Sequence, residues 1–600
     1  MVQQASSPGN DTTGRPTSAW ITRFGALLCG SNAASLAGLS FAVKDNIDVA
    51  GVPTTAGCPG FAYTPERHAT VVQRLLDSGA SLAGKTNLDQ FACGLNGTRS
   101  PYGAVPNAFD ARLVSGGSSS GSAYVVATGQ VDFALGTDTA GSGRVPAGLN
   151  NIVGLKPSRG LISARGVVPA AQSVDCVSIF TRSVGLAARV LHAAVGLDRA
   201  DPYSRVIPMM SRPWPRAVRL GVPAAAQFHG DTQSAAAWEE ALDLARTQGA
   251  RLVEIDFAPF AEVAALLYES PLVAERLAAI RGFFDAHESE IIEPVRGIIA
   301  SGRRYSAAEV FEAQTLLHSL AQRIAPLWDD LDALCVPTTP IHVSIAAMRA
   351  DPVGLNRVLG QYTNFVNLLD YAALAIPAGM RGDGLPFGIT LIAPAGNDWR
   401  LAELGQRLHH ASGLAQGALD APLPAPIAIP GLGTGASASA DSADSADKPR
   451  APAAALVRVA VVGAHLSGMP LNSQLIERAA RLVQATTTAP VYRLYALPDT
   501  VPPKPGMLRV ATGGTAIAVE VWEMPMAHYG SFVAAIPAPL GIGTLELADG
   551  SSVQGFLCEP HALEGATDIS AWGGWRAWVQ RGNQGTDGTD ESGRTGGGST

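Results

Sequence analysis

One lysine and two Ser/Gly-rich segments carry the residues that could do chemistry in this chain. Ser118 lies in SGGSSSGSA, and Ser142 lies in GTDTAGSGRVP, 142 − 118 = 24 residues later. Lys44 lies in the apolar segment FAVKDN, 118 − 44 = 74 residues before Ser118. Burial lowers the pKa of a lysine, so that it can act as a base near neutral pH. The alternative is a lysine that extends from a strand end into water, beside Ser/Gly segments that are flexible turns.

Two short motifs match patterns of other enzyme classes. Gly79–Thr86, GASLAGKT, fits the phosphate-binding pattern GxxxxGK[ST], but its interior is strand-like and follows a helical segment. Gly117–Gly121, GSSSG, fits the nucleophile elbow of α/β-hydrolases, but the preceding residues form a poor strand for that turn. Both functions remain alternatives, and each requires a structural context that the sequence does not favour.

The elements that must position these residues alternate between strand-like and helix-like segments. LSFAVKD, ASLAGKT and DFALGTD are strand-like, ATVVQRLLDSG has helical spacing, and SAYVVATGQ begins a helix. This alternation predicts an α/β layered domain. From Ser234 to about Leu327 the chain is mostly helical, interrupted by the strand-like RLVEIDF, and after residue 454 it is β-rich. We therefore predict a large α/β domain followed by a smaller α+β domain.

Changes in composition indicate where these domains begin and end. Six hundred residues are too many for one ordinary core. We predict a catalytic domain over 1–423, a flexible linker over 424–454, a second domain over 455–580 and a disordered tail over 581–600. The linker repeats Ser-Ala-Asp and has few bulky apolar side chains, so it cannot bury a core of its own.

Charge and cysteine usage exclude several classes of function. With 16% charged residues and a net charge of −8, nothing indicates binding to nucleic acid or to a membrane surface. No apolar stretch is long enough to span a membrane, and the N-terminus does not resemble a signal peptide. Six scattered cysteines favour a reduced, intracellular chain. We expect a cytoplasmic protein that needs no metal and no cofactor.

Four segments together resemble the amidase signature family. They are AVKDNIDVAGVPTTAG, GKTNLDQFACGLNGTRSPYGAVPN, GGSSSGSA and GTDTAGSGRVPAGLNNIVGLKPSRG. The resemblance is close from Leu39 to about Asp175 and looser to about Ala411. It implies an α/β/α layered domain with a mixed central sheet, and hydrolysis of a small amide.

The resemblance also implies a role for each candidate residue. Ser142 would be the nucleophile, Ser118 the bridging serine after a cis peptide bond at Gly117, and Lys44 the general base. The backbone N–H of Ser142 would face the oxyanion, together with those of three preceding residues: Thr139, Ala140 and Gly141. Three further side chains would support these loops: Asp138, Arg144 and Ser122.

Segments in both domains resemble the allophanate hydrolase family. After the linker these are VVGAHLSGMPLNSQL, TAIAVEVWEMP, PAPLGIGTLELADGSSVQGFLCE and ATDISAWGGWRAW. In the first domain, LLYESPLVAERLAAIR resembles the family's substrate-binding stretch, so Tyr268 and Arg276 would hold a substrate carboxylate. The alternative is an ordinary helix in which Arg276 pairs with a nearby glutamate. His465 is the titratable candidate of the second domain, and His528 and His561 are weaker ones.

The reaction implied by this resemblance is hydrolysis of allophanate to ammonia and carbon dioxide in urea breakdown, with the second domain assisting the later step. A urea carboxylase would be a separate partner chain, because no biotin-carboxylase-like segment is present. A homodimer is common in the family. Alternatives are an amidase for biuret or malonamate-like substrates, an amidotransferase glutaminase subunit, and a binding scaffold. Three departures from the family pattern could alter the pocket: Leu272, Leu277 and Asn96.

Overall fold

The computed structural model describes residues 3–4, 17–30, 34–432, 456–478, 480–498 and 500–582. They belong to two compact units, divided between Ala438 and Ser439. The linker predicted for 424–454 lies outside the described residues from position 433 onward, and the tail predicted for 581–600 does so from position 583 onward. The first two residues of that predicted tail are the end of a helix, Trp575–Gly582.

A mixed sheet of twelve strands organises the first unit. The strands, in chain order, are β1 (Gln3–Gln4), β2 (Trp20–Leu28), β3 (Ser40–Lys44), β4 (Ser81–Thr86), β5 (Phe133–Asp138), β6 (Val153–Lys156), β7 (Cys176–Thr181), β8 (Arg219–Pro223), β9 (Arg251–Ile255), β10 (Ala333–Pro337), β11 (Tyr371–Met380) and β12 (Pro386–Pro394). Their spatial order is β1-β2-β4-β3-β5-β7-β6-β11-β12-β10-β8-β9. At its centre β3 pairs in parallel with both β4 and β5, whereas β7 runs antiparallel to β5 and β6.

Helices cover both faces of this sheet. In chain order they are α1 (Thr70–Asp77), α2 (Ser120–Ala127), α3 (Val145–Leu149), α4 (Val184–Ala194), α5 (Thr232–Thr247), α6 (Ala258–Glu269), α7 (Ala274–His287), α8 (Val295–Ala300), α9 (Ala307–Ile324), α10 (Leu327–Asp330), α11 (Ile345–Ala350), α12 (Gly354–Leu359), α13 (Phe365–Leu368) and α14 (Asp398–Ala411). Successive residues of a strand face opposite sides. Accordingly, Phe41 and Val43 pack in the core that contains α1 and α4, whereas Ala42 packs in the core that contains α2. The α/β layered fold predicted from the sequence is confirmed.

Local sequence explains the two helices nearest the candidate residues. In α1, Val71, Val72, Leu75 and Leu76 form one buried stripe, as an amphipathic helix requires. In α2 every residue is buried, and small side chains at its start let it lie close to other backbone. A Cβ on Gly121 would lie 2.7 Å from the amide nitrogen of Asn87, so only glycine fits there.

The second unit is smaller and β-rich. Its strands are β13 (Leu456–Val461), β14 (Arg481–Thr487), β15 (Tyr492–Ala496), β16 (Pro505–Arg509), β17 (Ala518–Pro525), β18 (Leu540–Glu546), β19 (Ser552–Cys558) and β20 (Thr567–Asp568). They form a five-stranded sheet, β14-β17-β13-β19-β18, and a three-stranded sheet, β16-β15-β20. The helices are α15 (Ser473–Ile476), α16 (Met526–Ala534) and α17 (Trp575–Gly582). The prediction of a small α+β domain is confirmed. None of the described helices in either unit is long and apolar enough to cross a membrane.

Candidate active site

Lys44 is the last residue of β3, and its side chain is fully buried. Its Nζ donates hydrogen bonds to Ser118 Oγ and Thr137 Oγ1, each at 2.7 Å. Burial lowers the pKa of Lys44 to about 7, against the opposing effect of three carboxylates: Asp89, Asp175 and Asp138. Because the ammonium form is destabilised, a large share of Lys44 is neutral just above pH 7 and can accept a proton.

Ser118 follows a cis peptide bond at Gly117, as the family resemblance implied. A Cβ on Gly117 would lie 2.6 Å from the amide nitrogens of both Asn96 and Gly97, so this position requires glycine. Asp89 Oδ2 accepts hydrogen bonds from those same two amides, at 3.2 and 3.1 Å. The Ser/Gly-rich segment is therefore packed against neighbouring backbone and is not a loose turn.

Ser142 lies in the loop between β5 and α3, and its side chain is buried. Its Oγ donates a long hydrogen bond of 3.4 Å to the carbonyl oxygen of Gly94. Within the described residues, no hydrogen bond joins the hydroxyls of Ser142 and Ser118. Hydrogen bonds of this kind often tighten only when substrate is bound, so this arrangement is compatible with a relay between the two serines.

The Ser142 loop is built around a buried ion pair between Asp138 and Arg144. Arg144 Nε lies 2.8 Å from Asp138 Oδ2, and both side chains are fully buried. Asp138 also accepts hydrogen bonds from the amides of Gly141 and Gly143, at 2.9 and 3.0 Å. The Gly141 N–H, one of the predicted oxyanion donors, is therefore already engaged. The other predicted donors have no acceptor among the described residues: Thr139, Ala140 and Ser142.

Two residues that touch this loop were not predicted from the sequence. Thr137 accepts a hydrogen bond from Lys44, and its position on β5 beside β3 was a usable signal. Asp175 is half-buried, and Thr139 Oγ1 donates to its Oδ1 at 2.5 Å. Burial raises the pKa of Asp175 to about 6. Asp175 follows no motif, so only the tertiary contact with Thr139 identifies it.

Tyr268 and Arg276 come together across a break between two helices. Tyr268 is near the end of α6, a short 3-10 turn covers Pro271–Val273, and Arg276 lies in the first turn of α7. The guanidinium carbon of Arg276 lies 4.8 Å from the centre of the Tyr268 ring. Burial raises the pKa of Tyr268, so its hydroxyl stays protonated and can donate a hydrogen bond.

Among the described residues, the guanidinium group of Arg276 contacts the Tyr268 ring but has no hydrogen-bond acceptor for its terminal nitrogens. Arg276 is 4% exposed, and neither terminal nitrogen makes a hydrogen bond. No carboxylate among the described residues forms an ion pair with Arg276, so the alternative of a simple helix ion pair is wrong. A buried cation without a partner is costly, and an anionic ligand would remove that cost.

A cavity of about 600 Å³ opens beside Tyr268. Asn356 lines this cavity, and its Oδ1 accepts hydrogen bonds from the Leu95 amide at 2.8 Å and from Asn96 Nδ2 at 2.9 Å. Since the carbonyl of Gly94 accepts from Ser142 Oγ, the segment 94–96 contacts both the serine and the cavity residue Asn356. Asn96 thus contacts the cavity only through its hydrogen bond to Asn356. None of the three departures from the family pattern lines the cavity itself: Asn96, Leu272 and Leu277.

In the second unit, His465 lines a cavity of about 200 Å³. Its Nε2 lies 3.0 Å from Gln474 Oε1, and its ring stacks on Phe556 with the centroids 5.1 Å apart. Burial lowers the pKa of His465, so the imidazole is neutral near pH 7. The weaker candidates do not line this cavity: His528 and His561.

The structure rules out the functions that the two short motifs suggest. The segment Gly79–Thr86 contains β4, and Lys85 is buried with its Nζ 3.0 Å from Asp45 Oδ1, so it forms no phosphate-binding loop. The segment Gly117–Gly121 leads into α2 and follows no strand, so it is not a nucleophile elbow. In the described part of the chain, no group of His, Cys, Asp and Glu side chains could hold a metal ion.

Two family models match the chain. The Amidase model matches residues 24–402, and the Allophanate hydrolase C-terminal domain model matches residues 457–580. The urea amidolyase of Saccharomyces cerevisiae is 44% identical in an alignment of 551 residues that covers 90% of this chain. This chain spans only 29% of that relative's length.

Other relatives match different shares of the chain. The solved structure of Kluyveromyces lactis allophanate hydrolase is 40% identical with a TM-score of 0.69, covering 94% of this chain and 93% of that one. One subunit of the glutamyl-tRNA(Gln) amidotransferase of Haloarcula marismortui is 33% identical over 63% of this chain and 96% of that protein. The chain therefore belongs to the amidase family, and it carries an allophanate hydrolase C-terminal domain as its second unit.

Proposed function

We propose that this protein is an amidohydrolase that hydrolyses allophanate, a small amide that carries a carboxylate. One observation carries the choice of substrate class: among the described residues, the terminal nitrogens of the buried Arg276 guanidinium make no hydrogen bond. A planar carboxylate offers two oxygens to the parallel N–H donors of such a group. The pairing of an amidase domain with an allophanate hydrolase C-terminal domain supports the same substrate.

The proposed reaction begins with proton transfer. Neutral Lys44 accepts a proton from Ser118, which takes one from Ser142, and Ser142 Oγ attacks the amide carbonyl carbon. The free N–H groups of Thr139, Ala140 and Ser142 stabilise the oxyanion, and one such donor is typically worth about 3 kcal/mol. Ammonia leaves with a proton returned through the relay, and water then hydrolyses the acyl-enzyme.

Arg276 and Tyr268 hold the substrate carboxylate in this proposal. The guanidinium forms the ion pair, and the protonated hydroxyl of Tyr268 donates a further hydrogen bond. An amide without a carboxylate leaves Arg276 buried and unpaired, which weakens its binding. Discrimination between the two kinds of amide thus follows from the cost of leaving the buried guanidinium of Arg276 without hydrogen bonds.

The second unit acts on the product of the first in this proposal. Deamination of allophanate gives N-carboxycarbamate, whose decarboxylation leads to a second ammonia and carbon dioxide. His465 is the proposed titratable group, and Lys504, which lines the same cavity, supplies a positive charge for a carboxylate. An enzyme that carboxylates urea, such as a urea carboxylase, would supply allophanate. A homodimer and a cytoplasmic location stay predictions from the sequence.

The alternative substrates keep the same serine chemistry. An amidotransferase glutaminase subunit is less well supported, because the relative of that type matches 63% of this chain. That alternative leaves the C-terminal domain without a role. Biuret or malonamate as the substrate would also use the amidase site without requiring the second unit.

The test is ammonia release from allophanate, malonamate, biuret and a neutral aliphatic amide, with Ser142→Ala as the inactive variant. Ser319→Ala, at an exposed position on α9, is the matched control and should stay active. Turnover of allophanate that only Ser142→Ala abolishes supports the proposal. Turnover of another amide with allophanate inert would retain the relay and reject the substrate. Full activity of Ser142→Ala would reject the relay itself.

A further inference from the structure

The segment Ala170–Asp175 connects the Ser142 loop to the helix that carries Arg276. At one end, Asp175 accepts the hydrogen bond from the side chain of Thr139, at 2.5 Å. Near its middle, the amide and the hydroxyl of Ser173 donate to the carboxylate of Glu275, at 2.6 and 2.7 Å. The segment therefore contacts both the oxyanion donors and the residue next to the proposed carboxylate ligand.

The segment is held in one conformation by its own hydrogen bonds. Asp175 Oδ2 accepts from the amides of Ala170 and Ala171, at 2.8 and 3.2 Å. The carbonyl oxygen of Ser173 accepts a hydrogen bond from Arg159 Nη1 at 3.0 Å. A turn fixed at several points can transmit a change of position from one end to the other, because it cannot deform independently of either contact.

Glu275 binds this segment and also interacts electrostatically with its neighbour Arg276. It precedes Arg276 in the first turn of α7, and it accepts both hydrogen bonds from Ser173. Arg276 has no hydrogen-bond partner of its own at its terminal nitrogens, so its placement depends on the ring of Tyr268 and on the start of α7. The two charge-assisted bonds of Glu275 hold that helix start against the segment 170–175.

We propose that Glu275 is a positioning residue that links recognition of the substrate carboxylate to the oxyanion donors. By binding Ser173, Glu275 fixes the start of α7 and thus the position of Arg276. Because Ser173 belongs to the segment 170–175, which also binds Thr139, the position of Arg276 is coupled to that of Thr139. Carboxylate-bearing amides then have a higher kcat as well as a lower KM, because binding at Arg276 aligns the scissile carbonyl with the oxyanion donors. This inference rests on the proposed carboxylate-binding role of Arg276.

The test compares Glu275→Ala and Glu275→Gln with the native protein, on a carboxylate-bearing amide (allophanate or malonamate) and on a neutral aliphatic amide. Glu275→Ala should lower kcat/KM for the carboxylate-bearing amide about 10- to 100-fold, with part of the loss in kcat. Its effect on the neutral amide should stay within about 3-fold. Glu275→Gln keeps a carbonyl acceptor for Ser173 and should lose less than Glu275→Ala.

Two further measurements separate positioning from simple loss of structure. Asp285→Asn, also on α7 but paired with Arg303 on the surface, is the matched control and should leave both activities unchanged. The double variant Glu275→Ala/Arg276→Ala should be no worse than Arg276→Ala alone, since the two residues act as one unit.

Three outcomes would overturn the inference. They are an equal loss on both kinds of amide, full activity of Glu275→Ala, and additive losses in the double variant. A native protein that cleaves neutral amides and no carboxylate-bearing amide would instead reject the proposed function, and with it the premise for Glu275. Failure of the inference and failure of the proposed function are distinguishable, because the first is seen only in the variants and the second is seen in the native protein.

Discussion

At the scale of single residues, burial lowers the pKa of Lys44 so that this lysine can act as a base near neutral pH. Desolvation lowers the pKa of Lys44 to about 7, although three carboxylates oppose the shift. The hydrogen bonds from Nζ to Ser118 and Thr137 direct its proton chemistry towards the serine. Asp89 and Asp138 keep the surrounding loops in place through bonds to backbone amides, so their charge is used structurally as well as electrostatically.

The pH dependence of the reaction should report the titration of Lys44. Only neutral Lys44 can accept a proton, so kcat/KM should rise with pH through about 7 and level off above it. The measurement is kcat/KM for the best substrate across the acidic and neutral range. An acidic limb centred well below the pKa of Lys44 would argue against this residue as the base.

Replacing Lys44 should also change stability, with a defined sign. The folded-state pKa lies below that of the unfolded chain, so the folded protein binds fewer protons between about pH 7 and the ordinary lysine range. Lys44 therefore destabilises the fold most below pH 7 and least at alkaline pH. Lys44→Met should raise the melting temperature near pH 6.5 more than near pH 9.5, and abolish activity at both. Equal shifts at the two pH values would contradict this account of the buried charge.

At the scale of elements, tight contacts between helices, strands and loops set the distances at the site. β3 supplies Lys44, β5 supplies Thr137 and leads into the Ser142 loop, and α2 follows Ser118 directly. The break between α6 and α7 lets the guanidinium of Arg276 lie against the aromatic ring of Tyr268. The strands β3 and β5 and the helix α2 are almost entirely buried, so small side chains at their contacts decide the geometry.

Gly121 in α2 provides a test of that close packing. A Cβ there would lie 2.7 Å from the backbone nitrogen of Asn87, so Gly121→Ala should destabilise the protein by about 1–3 kcal/mol and displace Ser118, lowering kcat. Gly282→Ala is the matched control, because a Cβ on that glycine of α7 meets open space and should stabilise the helix by about 0.5–1 kcal/mol. Denaturant unfolding and kcat are the measurements. Equal effects of the two substitutions would show that packing at α2 is not tight.

At the scale of the whole molecule, two units with separate cores carry two candidate sites. The first unit contains Lys44, Ser118, Ser142 and Arg276, and the second contains His465 in its own cavity. The aromatic cluster around His465 belongs to the core of the second unit. Two successive steps on one small substrate are consistent with this division.

Replacing His465 should separate the two steps. With His465→Ala, the first ammonia from allophanate should be released at the native rate, whereas carbon dioxide should appear with a lag, because the proposed second step loses its titratable group. Ammonia and carbon dioxide are followed together in time, with the exposed His561→Ala as the control. Carbon dioxide released without delay by His465→Ala would remove this residue from the mechanism.

Many elements of the fold and the three candidate catalytic residues could be predicted from the sequence, because they depend on patterns between residues that are near in the chain. The hydrophobic period placed β3, β4, β5, α1 and α2, and the motifs drew attention to Lys44, Ser118 and Ser142. Glycine at position 117 also had a local signature, since its segment is rich in Ser and Gly. The change of composition after residue 423 separated an α/β part from a β-rich part.

Other features arise only from contacts between residues that are distant in the chain. Asp175 and Glu275 follow no motif, and their partners Thr139 and Ser173 lie 36 and 102 residues away. The engaged amide of Gly141 and the unpaired guanidinium of Arg276 likewise depend on which groups the fold brings within hydrogen-bond distance. Residue types and spacing thus determined which chemistry this protein could perform. The tertiary structure decided the protonation, hydrogen bonding and burial of each group, because those quantities depend on neighbours that no local pattern specifies.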